Sequence, residues 1–330
     1  MRPFDYLRIG DLAAAQVAAS HPDTKFLAGG TTLLDLMKLN VEQPARVVDI
    51  TRLAGLDAIT VSADMIRIGA LAKMSRVADH AGVRQAAPAL SESLWRAASA
   101  QLRNMASIGG NLLQRTRCTY FRDPGGYPNC NKRQPGSGCA AMAGVNRNHA
   151  ILGASSDCIA TYHGDFAVAL VAFDARIIVR GQTQRSIALD DFFLLPGATP
   201  HLETVLAPGE IIVGVEIPRS AALQRSHYLK VRDRASYEFA AASAAVGLEL
   251  EANGRTIREV HIAIGGVATK PWRLRDVEAA LKGKPLTEST LRAAAAAAVR
   301  EAKPGGHNDY KIALAPKVVA RALMQVGEIA

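Results

Sequence analysis

Aromatic residues are scarce in this 330-residue chain, at 5%. With few rings to stack on bases, and with Lys and Arg scattered along the sequence, the net charge of +9 leaves no nucleic-acid footprint. Long apolar runs are also missing: the nearest, 166–173 and 293–299, end at Asp174 and Arg300, short of the roughly 20 residues that a membrane helix needs. Asp5, Arg8 and Asp11 interrupt the N-terminus where a secretory leader requires uninterrupted apolar residues. The chain's own sequence therefore predicts a cytoplasmic location, and a periplasmic one would require export with a signal-bearing partner. No His, Glu or Tyr stands out as a general acid or base, so no catalytic residue is assigned.

What is present divides into mixed helix and strand units. Residues 1–50 read as a small α/β unit, with helices near 12–19 and 33–39 and strands at 25–27 and 46–50. Strands are expected at 58–61, 65–68, 167–172, 176–180 and 211–217, and helices over 73–80 and 82–100, with Pro88 near a helix start. A polar stretch, 218–225, precedes three strands (226–231, 240–251 and 255–264) and then amphipathic helices at 274–282, 287–302 and 314–327. Helices covering one face of a meander is the architecture this order predicts.

Three features carry chemistry. The run Phe26-Leu-Ala-Gly-Gly-Thr-Thr-Leu-Leu34 places a glycine pair between strand and helix, where backbone amides can approach a phosphate and Thr31 and Thr32 can cap the helix. It is neither a P-loop nor Gly-x-Gly-x-x-Gly. Ser107-Ile-Gly-Gly-Asn111 is a second such turn, and two turns suit the two ends of one dinucleotide. The third feature is the cysteine set Cys118-x11-Cys130-x8-Cys139-x18-Cys158, the chain's only cysteines, in a turn-rich segment with little apolar area to order it. With no Cys-x-x-Cys pair, the spacing leaves an iron-sulfur cluster, a structural zinc and two disulfides all open. Arg115, Arg117, Arg122, Lys132, Arg133 and Arg147 face one local acid, Asp123, and this charge is expected to favour thiolates and anionic cofactors. His149 and His163 are read as surface or hydrogen-bonding residues rather than ligands.

Taken in order, 26–38, 101–112, 165–175, 208–218 and 228–240 resemble the FAD-binding subunit of xanthine-dehydrogenase-type molybdenum hydroxylases over nearly the whole chain. The cysteine insert resembles the branch found in bacterial aldehyde oxidoreductases and 4-hydroxybenzoyl-CoA reductase, where this subunit also holds a 4Fe-4S cluster. The resemblance implies an α+β fold: a two-part FAD-binding domain of the vanillyl-alcohol-oxidase/PCMH type, then a three-stranded sheet with helices on one face. The implied boundaries are 1–55, 56–220 with an insert near 114–160, and 221–330. It also implies that Leu27, Ala28, Gly29, Gly30, Thr31, Thr32 and Leu33 wrap the FAD pyrophosphate, with Ser107, Ile108, Gly109, Gly110 and Asn111 on its other side. Asp165 would bind a ribose or ribityl hydroxyl, Ile212 would pack on a ring, Lys230 would sit at the isoalloxazine's polar edge, and Cys118, Cys130, Cys139 and Cys158 would hold the cluster. Implied partners are a molybdenum-cofactor large subunit and a 2Fe-2S small subunit, with electrons passed to an unspecified acceptor. The competing reading is a free-standing flavin oxidoreductase acting directly on a small molecule.

Overall fold

Asp49 organises the N-terminal unit. It ends the buried central strand Arg46–Asp49 of a parallel three-stranded sheet, flanked by Asp5–Arg8 and Thr24–Leu27. Its carboxylate accepts hydrogen bonds from Tyr6, from Arg8 Nε at 2.9 Å and from Thr51. Helices Leu12–Ala19 and Leu33–Lys38 make the crossovers that parallel strands demand, and Asp11 caps the first by accepting from Ala14 N at 2.8 Å. Strand Asp5–Arg8 was not expected, because all four of its residues are exposed and it carries no apolar alternation. The computed structural model describes residues 1–329.

A five-stranded antiparallel sheet follows, ordered Ile59–Val61, Met65–Gly69, Ile211–Pro218, Arg176–Arg180, Gln184–Ala188. The helical stretch beside it breaks into Ala81–Ala86 and Pro88–Trp95, with Pro88 in the first turn where its missing N–H costs nothing. Residues expected as a strand at 167–172 instead form helix Asp165–Ala172, all eight of them buried. An uninterrupted apolar run has no readable period, and this helix is buried along its whole length, with the C-terminal sheet on one side and helices, among them Pro88–Trp95, on the other. It lies so close to the next sheet that a Cβ on Gly265 would meet Val168 Cγ2 at 2.5 Å.

The C-terminal sheet is antiparallel, ordered Trp272–Arg273, Ile257–Gly265, Ala242–Leu250, Ser226–Val231. It has four strands rather than the expected three; the added one is two residues long, too short for any alternation to show. Helices Arg275–Leu281, Glu288–Ala295 and Tyr310–Gly327 bury Val277, Leu281, Leu291, Val319 and Leu323 against one face. Each such side chain contributes roughly 1.5–3 kcal/mol.

Candidate functional site

Both diglycine turns face one cleft of about 740 Å³, a volume within the range of cofactor pockets. Gly29 packs on the second turn so tightly that a Cβ there would sit 2.1 Å from Met105 O, and Gly30 adopts a left-handed φ of +72°. Thr32 occupies the N-cap position of helix Leu33–Lys38, but its side chain makes no capping bond. The amides of Gly29, Gly30, Thr31 and Thr32 find no backbone acceptor, so they are free donors at the cleft. Opposite them, the second diglycine pair, read from sequence as a turn, opens the short helix Ile108–Leu112: Ser107 is its N-cap, Oγ accepting from Gly110 N at 3.3 Å, and Gly109 N donates to Ala70 O at 2.8 Å. Free amides from one turn and a rigid second turn form a cradle of the kind that binds a pyrophosphate.

Of the residues assigned from sequence, Ala28, Gly29, Gly30, Thr31, Thr32, Leu33, Ser107, Gly109, Gly110 and Ile212 line this cleft. Leu27 belongs to strand Thr24–Leu27, and Ile108 is fully buried in the core. Asn111 points a buried Oδ1 that has no protein partner. Asp165 and Lys230 pair with each other instead of facing the cleft: Lys230 Nζ lies 2.8 Å from Asp165 Oδ2, and their side chains are 1% and 5% exposed. Tyr228 Oη donates to the other carboxylate oxygen at 2.7 Å, and Lys230 also donates to Arg96 O at 3.0 Å. The alternation of Tyr228, Lys230 and Arg232 suggests a solvent-facing lysine. A neighbouring carboxylate inverts that reading, because a buried charge requires its partner.

The cysteine segment is ordered by more than its sulfurs. No disulfide joins the four cysteines, which line one small cavity, and Tyr120, Phe121, Ala141 and Ala160 form an apolar cluster with Leu36 of the N-terminal unit around them. Cys130 and Cys139 face each other across an isolated antiparallel bridge, closed by Asn131 N donating to Gly138 O at 2.8 Å and Ala140 N donating to Asn129 O at 3.2 Å, with Gly138 N also donating to Asn131 Oδ1 at 2.8 Å. Among the described residues, no group of three or more His, Cys, Asp or Glu side chains is placed to hold a metal ion. The sulfurs surround a shared space rather than meeting at a single-ion position. Burial pushes the Cys118 thiol up to about 12 and raises Cys158 as well. Thiols of that basicity ionise only when a bound cation replaces the proton.

Most of the positive charge expected to bathe these sulfurs is engaged in ion pairs; Arg133 donates to the carbonyls of Tyr120, Phe121, Tyr127 and Pro128 instead, and Lys132 still favours the Cys158 thiolate against the larger effect of burial. Arg115 bridges Glu42 at 2.6 Å and Glu203 at 2.7 Å, Lys132 holds Glu203 at 2.8 Å, Arg117 and Arg122 share Asp35, and Arg147 pairs with Asp233. Burial works against the Glu203 carboxylate, yet Arg115 and then Lys132 outweigh it and lower its pKa. These contacts fasten the insert to the N-terminal unit and to the segment after Phe193. His149 is buried and His163 half-buried, so the surface alternative fails and the hydrogen-bonding one agrees with the contacts: burial lowers them to about 4 and about 3, His149 Nε2 sits 3.2 Å from Cys118 Sγ, and His163 Nδ1 accepts from Arg117 N at 3.4 Å.

Several cleft residues escaped the sequence reading. Thr24 lines it with a buried hydroxyl that has no partner, and Tyr162 lines it while donating to Leu112 O and packing on Phe193 at 4.8 Å between ring centroids. A further wall comes from 193–212, where Pro196, Pro200, Pro208 and Gly209 keep the chain largely irregular before the next strand. A loop of that length inside a packed unit is itself a functional signal.

A family model described as the FAD binding domain in molybdopterin dehydrogenase matches residues 2–220, and one described as the CO dehydrogenase flavoprotein C-terminal domain matches 227–326. The chain is 46% identical to the aldehyde oxidoreductase FAD-binding subunit PaoB of Escherichia coli (strain K12), over 98% of both chains. It is 27% identical to the carbon monoxide dehydrogenase medium chain of Hydrogenophaga pseudoflava, over 94% of this chain and 92% of that one. A solved structure of carbon monoxide dehydrogenase from the same organism superposes with a TM-score of 0.76 at 26% identity, covering 100% of both chains.

Proposed function

This chain belongs to the family of FAD-binding subunits of molybdenum hydroxylases, and from that premise we propose that it is an electron-transfer subunit carrying both FAD and a 4Fe-4S cluster. In this reading the complex oxidises an aldehyde or a heteroaryl substrate at a molybdenum cofactor on a large subunit. A small subunit relays the electrons through 2Fe-2S clusters, and this chain passes them to an external acceptor. Bound FAD supplies a carrier that takes up and releases electrons.

The protein's part is placement. The free amides of Gly29, Gly30, Thr31 and Thr32 hold the pyrophosphate, with Ala28 and Leu33 completing the turn and Ser107, Gly109 and Gly110 closing the other side. Leu27 and Ile108 support the two glycine pairs from behind, Asn111, whose Oδ1 has no protein partner, contacts the cofactor from the second side, and Ile212 supplies an apolar surface for a ring. Asp165 and Lys230 work as a pair behind the wall. After burial, the Asp165 charge is the next influence raising the Tyr162 hydroxyl's pKa, which places the pair beside a cleft residue. Cys118, Cys130, Cys139 and Cys158 hold the cluster. Units 1–55, 56–220 and 221–330 are the working parts, one for each of the three sheets.

One observation carries the proposal: the cavity lined by all four cysteines shares Cys158, Ala160 and Lys132 with the dinucleotide cleft. A cluster there adjoins the flavin site. The cluster's principal role is taken to be structural, knitting the insert together, with slow or side-path redox. An absorption spectrum of the anaerobically isolated protein tests the pair of cofactors, with flavin bands plus a broad iron-sulfur shoulder expected. Flavin bands alone would leave the cysteines without a cluster, and failure to co-purify with a molybdenum-containing subunit would favour a free-standing flavoprotein.

A further inference from the structure

Beyond the cysteines themselves, one side chain addresses the candidate cluster. We propose that His149 is a positioning residue that donates an Nε2–H···S hydrogen bond to Cys118 and thereby raises the cluster's reduction potential. The inference rests on the 4Fe-4S reading above and concerns a residue that would touch a ligand, not the metal.

His149 Nε2 lies 3.2 Å from Cys118 Sγ, and among the described residues no other side chain comes within hydrogen-bond distance of a cysteine sulfur. The ring is 5% exposed, and its backbone is fixed on both sides. His149 N donates to Asn146 O at 2.9 Å, while Asn308 Nδ2 donates to the carbonyls of His149 at 3.3 Å and Ala150 at 3.0 Å. Asn146 in turn accepts from His307 N at 3.0 Å and donates to Gly305 O at 2.5 Å. Two buried asparagines thus clasp the end of the insert to the turn before helix Tyr310–Gly327, so the imidazole is held by the C-terminal domain rather than by the insert alone.

The direction of the hydrogen bond follows from chemistry. A cluster thiolate has lone pairs and no proton, so the nitrogen facing it must carry the hydrogen, and Nδ1 is then the bare nitrogen. Nδ1 is buried and has no protein partner, and His149 lines a second cavity of about 250 Å³ beside Arg117, Tyr127 and Arg147. A neutral imidazole carries one N–H, so a bare Nδ1 leaves Nε2–H for the sulfur. Hydrogen bonds to thiolate sulfurs stabilise the more negative, reduced cluster and are a recognised control of its potential.

The test is a redox titration followed by electron paramagnetic resonance on the assembled, anaerobically purified complex. The insert's own signal is identified as the one that disappears in Cys130→Ala. In His149→Phe that signal should persist with its midpoint shifted to lower potential, and in His149→Gln, which restores an N–H donor, the midpoint should recover part of the shift. An unchanged midpoint in both variants would overturn the assignment, as would loss of the signal in both from protein that keeps its flavin. A wild-type complex with no Cys130-dependent signal would instead remove the cluster reading on which the inference stands.

Discussion

Gly29 is the residue whose replacement reports most directly on the cleft. A methyl group there meets a backbone carbonyl, Met105 O, at 2.1 Å, and backbone cannot step aside as a flexible side chain can. Gly29→Ala is expected to cost about 1–3 kcal/mol and to lower bound flavin severalfold, read by melting temperature and flavin content. Gly10→Ala, with nothing within 4 Å, is the matched control and should change neither. Lys230→Met strands a buried Asp165 carboxylate and should destabilise by about 3–5 kcal/mol in urea unfolding, with much of that loss recovered when Asp165→Asn is added. Lys311 gives a pH signature: burial, then Arg147, lowers its pKa from 10.5 to about 7. The unfolded chain keeps this proton up to about 10.5 while the fold releases it near 7, so stability rises as pH climbs through that window and is lower below it. The change is on the order of a few kcal/mol, and Lys311→Met should flatten it when unfolding is compared at about pH 6 and about pH 9. Glycine pairs were legible because only glycine permits such contacts. The pairing of Asp165 with Lys230 was not, because the partners lie far apart in sequence and meet only through the fold.

At the scale of elements, the insert of about 114–160 is held by a small apolar cluster and by ion pairs to Asp35, Glu42 and Glu203, and under the proposed function a cluster on its four sulfurs is the third tie. Loss of the sulfurs' common partner should release the middle of the insert but leave its roots tied. Cys130→Ala is therefore expected to expose the stretch between Asp123 and Cys139 to limited proteolysis within an otherwise intact chain that keeps its flavin. Simultaneous loss of flavin would show that the insert supports the cleft rather than merely adjoining it. The sequence announced this segment through its turn-forming composition and its clustered cysteines, yet it hid the acids that pair with its cations, since those acids lie outside the segment. Helix Asp165–Ala172 marks the opposite limit. Its burial on every side erases the periodicity by which a helix is recognised, whereas the half-buried helices after residue 274 kept theirs.

The whole molecule is three sheets with a cleft where the first two units and the insert meet. Order of motifs along the chain conveyed this plan, because the first diglycine pair follows strand Thr24–Leu27, the second opens helix Ile108–Leu112, and the third sheet reads as a plain meander. What composition could not convey was adjacency: the dinucleotide cleft and the cysteine cavity share Cys158, Ala160 and Lys132, which places two candidate redox sites side by side. The most direct test of that account is the amount of flavin, iron and acid-labile sulfide bound to this chain when isolated without oxygen. One FAD with four iron and four sulfide is the expected result; FAD with neither iron nor sulfide would contradict it.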